Sequence, residues 1–486
     1  MIRVQAVHNS AGAAALTAAA RMAVEHLGGD GDGCGLIVRL LLQDVRDRIQ
    51  PGVDSSEVEL SVRPEGTEVV LELRDRGEPI SGEPVALHPL VAMGLVTQTQ
   101  TGTDGHSNVT TIRMALQAHH AVEDLDSVEI LNEQVPVSTD EFSVRELTPV
   151  DTPALTRLLY RCYGWSYPHP DLYYPERVSA ALVDGSRIGL VAVTESGEVV
   201  GHWGAVYRGA HVVETGSTVT DPRFRHRGIA RLLGEQLLDQ LRDRQVKGRF
   251  REPVLTHTAT QEMALKEGAV IVGIRANRGQ ALQQVGITQG ILDHRSSVTV
   301  AFGALLPLES ASVFVPADYA DILRVVLSHS DWPRHIDARP DFTLADVPST
   351  TESTSSYDAA NQSAVIDVSI IGNDLIDNVD SALDRARRGG AEFIEVHLPT
   401  AQPWLTAVGA GLIDLGLAYA AYIPVLHEDS DVLVLQWLDD SEVDTSDWQY
   451  ATPHVEALAQ AVVAQIHDAA QRAVKVRREA ARRHAG

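Results

Sequence analysis

Cysteine is close to absent. The 486-residue chain holds Cys34 and Cys162 alone, at a spacing that fits no metal-ligand pattern. A disulfide framework and a zinc cluster are therefore excluded from the expectations, and no metal is expected. Positive charge is scarce too. Lys and Arg number 40 against 66 for Asp and Glu, a formal net charge of -26 at pH 7. So acidic a chain is repelled by nucleic acid and by anionic membranes, and neither is expected as a partner. No apolar run reaches the roughly 18 residues that span a bilayer. The opening Met1-Ile2-Arg3-Val4 carries no apolar signal segment. The expected compartment is the cytoplasm. Aromatic residues make up 5% of the chain, and Lys, Phe and Met are few while Ala, Val, Arg and Asp abound. That composition resembles high-GC bacterial coding.

The rest has the balance of an ordinary globular protein, with 44% apolar and 22% charged residues. The length exceeds one core, so several domains are expected. Residues 1–120 form a first α/β unit, and a polar stretch at 123–140 separates it from a second at 141–302. A third α/β region covers 303–445, and 446–486 reads as a C-terminal helix with a basic tail. Within the third region, Pro348-Ser349-Thr350-Thr351-Glu352-Ser353-Thr354-Ser355-Ser356 lacks apolar residues and reads as a mobile loop.

The most informative string is Arg225-His226-Arg227-Gly228-Ile229-Ala230. A β-branched run at 211–220 and the turn Asp221-Pro222 precede it. Ile229, Leu232, Leu233, Leu237 and Leu241 then fall at helical spacing. The pattern predicts strand, tight turn and helix. A helix start offers unpaired N–H groups and a positive dipole end, which suit a pyrophosphate. Gly228 lets the backbone come close to a ligand, and Ala230 adds little bulk.

The Arg225-x-x-Gly228-x-Ala230 spacing after Val219-Thr220-Asp221-Pro222 resembles the acyl-CoA loop of the GNAT N-acyltransferase superfamily. Strands read at 142–147, 188–194, 199–207, 211–220 and 253–257, and helices from 149, 228 and 261, follow the order of that fold. The resemblance implies an acyltransferase using acetyl-CoA or another acyl-CoA. It places the thioester along Thr218, Val219 and Thr220 and the pyrophosphate over Arg225, Arg227, Gly228, Ile229 and Ala230, with Arg223, Arg225 and Arg227 adding positive charge. In such enzymes a strand carboxylate often deprotonates the amine through water. Glu214 is the sole carboxylate of its strand, so it is either that base, or an exposed edge charge or one half of a salt bridge. The family's usual tyrosine acid, four residues before a glycine, is here Ala264. His257 is the substitute candidate, because an imidazole titrates near neutrality; a buried structural histidine is the alternative. Tyr163, Trp165, Tyr167 and Tyr173 crowd one loop, at the place where this family binds its acceptor. They either line an acceptor site, for a small-molecule amine or a protein or peptide amine, or pack a core.

Residues 1–120 resemble the GHKL ATPase fold of anti-sigma-factor kinases. The resemblance rests on a helix at 36–49, paired strands at 58–63 and 69–74, Asp75-Arg76-Gly77, and a last strand from 110. In that family an Asp-x-Gly loop holds adenine, and a Glu-x-x-x-Asn motif supplies base and magnesium ligand. Here those two positions are Gln43 and Asp47, so weak or absent ATP binding and no kinase activity are expected. A regulatory or docking role, with a protein partner, remains. After 302, strands at 364–372 and 393–398 around a helix ending at Gly389-Gly390 look like a second, decayed copy without an Arg-x-x-Gly-x-Ala loop. The expected fold class is α/β (α+β): a GNAT-like mixed sheet with flanking helices, preceded by a GHKL-like α/β sandwich and followed by a second, degenerate GNAT-like half. The expected function is acyl-CoA-dependent N-acyl transfer. The alternative is a non-catalytic, anti-sigma-type signalling protein that binds ATP or a protein partner.

Overall fold

The computed structural model describes residues 2–27, 29–48, 57–65, 68–78, 80, 84, 87, 90, 91, 95–103, 107–115, 128–131, 135–164, 167, 169–279, 294–337, 342–358, 361–428 and 430–484. The first region contains β1 (Ile2–Val7), α1 (Ser10–His26), α2 (Gly31–Arg48), β2 (Glu57–Glu65), β3 (Glu68–Asp75), β4 (Gln98–Thr103) and β5 (Asn108–Ala115). The middle region follows with β6 (Phe142–Glu146), α3 (Thr152–Tyr163), α4 (Pro175–Val183), β7 (Arg187–Thr194), β8 (Val199–Tyr207) and β9 (Val212–Thr220). It continues with α5 (Ile229–Asp243), β10 (Gly248–Arg251), α6 (Ala259–Lys266), β11 (Val270–Gly279) and β12 (Ser296–Ala304). The remainder has β13 (Ala311–Val313), α7 (Ala317–Ser328), β14 (Arg334–Ile336), β15 (Glu352–Asp358), β16 (Ser363–Ile370) and α8 (Leu375–Arg388). Then come β17 (Phe393–Pro399), α9 (Leu405–Val408), β18 (Ala418–His427), β19 (Ser430–Leu438) and α10 (Pro453–His484). Among the described residues no helix is long and apolar enough to cross a membrane.

Among those residues, 17 strands hydrogen-bond into one continuous sheet. Its first run is β1-β2-β3-β5-β4, antiparallel throughout. Strand β4 then pairs with β15, which joins the first region to the third. The sheet continues β15-β16-β17-β19-β18, crosses to β11 at Gly273/Ala421, and ends β12-β10-β9-β8-β7-β6. One succession occurs twice around that crossing. The parallel pair β9/β10 is followed by antiparallel β12 and its partner β11; the parallel pair β16/β17 is followed by β19 and β18. Helix α5 or α8 connects each parallel pair, as parallel strands require a long connection.

Periodicity explains the helix that matters for the site. Ile229, Leu233, Leu237 and Leu241 of α5 are all at most 1% exposed and pack on Trp203, Ala205 and Val213 of the sheet. Burying each is worth about 1.5–3 kcal/mol. On the opposite face, Leu155, Leu158 and Leu159 of α3 pack with Val191 and Val219. The long α10 lays Val455, Leu458, Val462 and Ile466 into the core, and Arg472 ties it to Asp414 and Asp318 at 2.8 and 2.9 Å.

Three expectations change. The strand expected at 253–257 lies earlier, as β10, and that stretch keeps one bridge, Val254 to Val298. Charge hid it: Arg249 and Arg251 lie inside β10, and both are buried against Glu267. The segment expected to be mobile, 348–356, instead enters β15, whose small polar residues pair with β16 and β4 on either side. In the first region, β1, α1 and β4 were not foreseen, and α2 begins at Gly31 rather than 36.

Candidate functional site

The site forms where two parallel strands part. Strands β9 and β10 pair only from Val212/Gly248 to Glu214/Phe250. Past Glu214, β9 keeps β8 on one side and has no paired strand on the other among the described residues. Its register with β8 also slips between His202/Val219 and Gly204/Gly216. At that bulge Ser217 has φ 55, a left-handed conformation that side chains disfavour. Residues 216–218, beside the wedge between the parting strands, are only partly buried.

The turn after β9 is fixed by buried charge. Asp221, with a fully buried side chain, accepts from the Arg223 N–H at 2.9 Å and from Arg161 Nη1 at 2.9 Å. Burial alone would raise its pKa, but the Arg223 bonds and Arg161 outweigh that and hold it below the usual carboxylate range. His226 and Gly228 then take left-handed backbone, φ 63 and 78, and Gly228 caps α5. A cavity of about 260 Å³ sits on this loop, lined among others by Thr220, Arg225, His226, Gly228, Ile229 and Ala230. The first N–H groups of α5 have no intrahelical partner, and the positive end of its dipole lies there. An anion is the natural complement.

The candidate cofactor-binding residues divide accordingly. Thr220, Arg225, Gly228, Ile229 and Ala230 line the cavity, while Thr218 borders the wedge. Val219 and Ile229 bury their side chains in the two cores, so each offers only backbone to a ligand. Arg227 does not present its charge to the cavity. Its Nη1 donates to Asp140 O at 2.7 Å and Ser138 O at 3.2 Å, and its guanidinium lies over Phe142 and Phe224. Arg223 is likewise taken by Asp221 and Glu198. The sequence placed three arginines at one turn; Arg227 is held by the linker, and Arg223 by the buried Asp221 and the partly exposed Glu198.

Glu214 is paired with Arg208, Nη2 to Oε2 at 2.6 Å, on the β8–β9 hairpin. Burial raises its pKa, yet Arg208, helped by His169 and Arg275, more than offsets this and brings it to about 2. Such a carboxylate stays ionised and is a poor base for an ammonium, so the salt-bridge alternative is the one the geometry favours. His257 lies in the loop after β10. Its carbonyl accepts from Gln261 Nε2 at 3.3 Å, and its Nδ1 is buried without a hydrogen-bond partner. Gln261 also binds Gln449 O at 2.8 Å and thereby ties α6 to the segment leading into α10.

The aromatic loop does converge. Tyr163 and Tyr167 have ring centroids 5.0 Å apart, and Tyr173 OH receives the Tyr167 N–H at 3.1 Å while donating to Gly164 O. Burial raises the Tyr163 and Tyr173 pKa values to about 12, and raises that of Tyr167 too. All three phenols therefore stay protonated. The Ser217 side chain acts on the Tyr167 phenol, which places this loop beside the β9 bulge. Trp165 lies outside the described residues. Arg208, His202 and Ser217 escaped the sequence reading. The available signal was a row of glycines, Gly189, Gly204 and Gly216, on three neighbouring strands.

The other two regions differ in what their loops can accept. In the third, the turn into α8 is filled by the chain itself. Gly372 N donates to Thr351 Oγ1 at 3.0 Å, Asn373 N to Pro348 O at 2.8 Å, and Asp374 Oδ1 takes Thr351 N at 2.6 Å. No room is left there for a phosphate: a Cβ on Gly372 would sit 2.3 Å from Thr350 C. In the first region, the carboxylate expected to hold adenine is already saturated. Asp75, with a fully buried side chain, accepts from Arg48 Nη1 and Nη2 at 2.8 Å each, Gly77 N at 2.8 Å and Asn108 Nδ2 at 2.9 Å. Arg48 also fills the space beside Gly77. These residues do not fit ATP. The Asp47 side chain lies outside the described residues.

In sequence, residues 152–266 match the family model of the acetyltransferase (GNAT) family, which leaves most of the chain unmatched. No curated protein matches the chain. Solved structures similar to it include the ribosomal-protein-S18-alanine N-acetyltransferase of Escherichia coli, 17% identical over 35% of this chain and 97% of that one, TM-score 0.27. Spermidine/spermine N-acetyltransferase of Vibrio cholerae is 14% identical over 34% and 93%, TM-score 0.28. A Salmonella typhimurium protein described as a candidate acetyltransferase, solved with its cofactor acetyl-CoA, is 15% identical over 35% and 97%, TM-score 0.28. The loop at 225–230, the parting strands and α5 all lie within the matched segment, and residues 152–266 are a GNAT acetyltransferase domain.

Proposed function

We propose that this chain is an acyl-CoA-dependent N-acyltransferase, using acetyl-CoA, that acylates a small-molecule amine or a protein or peptide amine in the cytoplasm. The observation that carries the reading is the cavity on the Gly228 loop, at the start of α5 and at the open end of the β9/β10 wedge. Acetyl-CoA supplies the thioester that the amine attacks. Gly228, Ile229 and Ala230 hold the pyrophosphate through backbone N–H groups, with Arg225 beside them. Thr218, Val219 and Thr220 offer backbone along the wedge to the pantetheine and the acyl carbonyl. Tyr163, Tyr167 and Tyr173 form the acceptor wall. Glu214, locked to Arg208, sets the charge of the acceptor side rather than taking the proton. The amine therefore reaches the wedge neutral or loses its proton toward His257, whose buried Nδ1 is free to bond.

The regions around this domain are read as support. The repeated strand succession favours a second, decayed acyltransferase-like half at 303–445, without an acyl-CoA seat because Thr351 and Pro348 occupy its turn. The saturated Asp75 favours a docking or regulatory role for residues 1–120, toward a protein partner, over ATP chemistry. Isothermal titration of the full chain tests both. Acetyl-CoA is expected to bind and ATP is not. Binding of ATP with no uptake of acetyl-CoA overturns the acyltransferase reading and restores the signalling alternative.

A further inference from the structure

Three glycines stand side by side on adjacent strands: Gly189 of β7 pairs with Gly204 of β8, and Gly204 with Gly216 of β9. The row leaves a strip of sheet without side chains on the face that meets α3. His202, two residues before Gly204, lays its ring into that strip. A Cβ on Gly189 would stand 3.1 Å from Nε2, and one on Gly204 3.0 Å from Cε1. Over Gly216 a Cβ would meet nothing within 4 Å, so the strip stays open at the wedge. The His202 ring is fully buried, with Nε2 unpartnered. Its Nδ1 lies 2.8 Å from Ser217 O. A carbonyl can only accept, so Nδ1 carries the proton and donates it. Burial lowers the His202 pKa to about 4, and the ring stays neutral in this tautomer at working pH.

Ser217 is the residue with left-handed backbone at the bulge. Such a conformation persists where the surroundings over-determine it. Here His202 holds it at the carbonyl. We infer that His202 is a positioning residue: its Nδ1–H pins the Ser217 carbonyl, which fixes the bulge and aims the β9 backbone N–H groups into the wedge where the acyl carbonyl develops negative charge. The inference rests on the acyltransferase reading. Donors for a developing oxyanion act through fixed placement, so loosening the bulge should lower turnover more than binding.

The test uses the full chain with acetyl-CoA and two acceptor probes, a primary diamine and a peptide with a free α-amino group. His202→Phe keeps the ring volume and removes the donor; His202→Asn keeps a short N–H donor. Expected for His202→Phe is a kcat at least tenfold lower, with acetyl-CoA Kd within twofold of wild type by calorimetry. His202→Asn should recover most of the lost kcat, and the pH profile should keep the wild-type limbs. If His202→Phe gives no cooperative melt, Gly204→Ala replaces it. That variant keeps the imidazole but crowds its Cε1, and it should lower kcat in the same selective way. Wild-type kcat in His202→Phe overturns the inference. So does equal loss of kcat and acetyl-CoA affinity in both His202 variants, which marks a merely structural role. A limb of the pH profile that vanishes in His202→Asn would make the imidazole a proton carrier and also overturn it. Absence of acetyl-CoA binding by the wild type would instead bring down the acyltransferase reading itself.

Discussion

Gly228→Glu probes the seat on which the acyl-CoA reading depends. Gly228 has φ 78, and a Cβ built there meets nothing within 4 Å, so a side chain projects into open space at the mouth of the cavity. Two effects on folding then oppose each other. A side chain at positive φ costs about 1–2 kcal/mol. A carboxylate at a helix N-terminus returns about 0.3–1 kcal/mol. Stability should therefore change by no more than about 1–2 kcal/mol, and the protein should fold. Binding responds differently. A carboxylate about 4 Å from a phosphate charge is opposed by about 1 kcal/mol in water and about 4 kcal/mol in a partly buried setting. The acetyl-CoA Kd should rise at least tenfold, since about 1.4 kcal/mol is one decade. Gly228→Lys carries the same backbone strain and bulk with opposite charge and should bind more tightly than the Glu variant. Calorimetry at two ionic strengths separates the terms, because high salt should shrink the gap between the two variants. Equal affinity for the Glu variant, the Lys variant and wild type, all folded, would refute the assignment of this loop as the phosphate seat.

Three further outcomes follow from other contacts. Glu214→Gln should lower kcat by less than about tenfold, because a carboxylate held near pKa 2 by Arg208 is not the base; a loss of about a hundredfold or more with unchanged acetyl-CoA Kd would reinstate it. Arg48→Ala strands the fully buried Asp75 carboxylate and should cost about 3–5 kcal/mol in urea unfolding; a cost under about 1 kcal/mol would show that Asn108 and the Gly77 N–H suffice. The Arg145 bonds, against burial and with help from Thr148, lower Asp151 to about 2. A depressed carboxylate stabilises above its unfolded pKa near 3.9, and the gain fades as pH falls toward 2. Asp151→Asn should therefore lose stability at pH 6 and converge on wild type near pH 2; a constant difference across that window would exclude this pair as the source.

Local chemistry decided part of this protein before any folding. Helical spacing of Ile229, Leu233, Leu237 and Leu241 placed α5, and the string from Arg225 to Ala230 placed a tight turn before it, because both depend on near neighbours in the chain. β-branched alternation likewise located β7, β8 and β9 to within a residue or so. Strand β10 escaped because its alternate positions are arginines, whose burial depends on Glu267 from a distant turn. Only the tertiary structure decided how the charged groups were used. Arg208 reaches Glu214 across a hairpin, Arg227 reaches the linker at Ser138 and Asp140, and Arg48 reaches Asp75 across 27 residues. The β9 bulge, held by His202 at the Ser217 carbonyl, is likewise a meeting of neighbouring strands. A side chain's type sets what it can bond, but its partner, and hence its charge state and role, is chosen by long-range packing that no local spacing encodes.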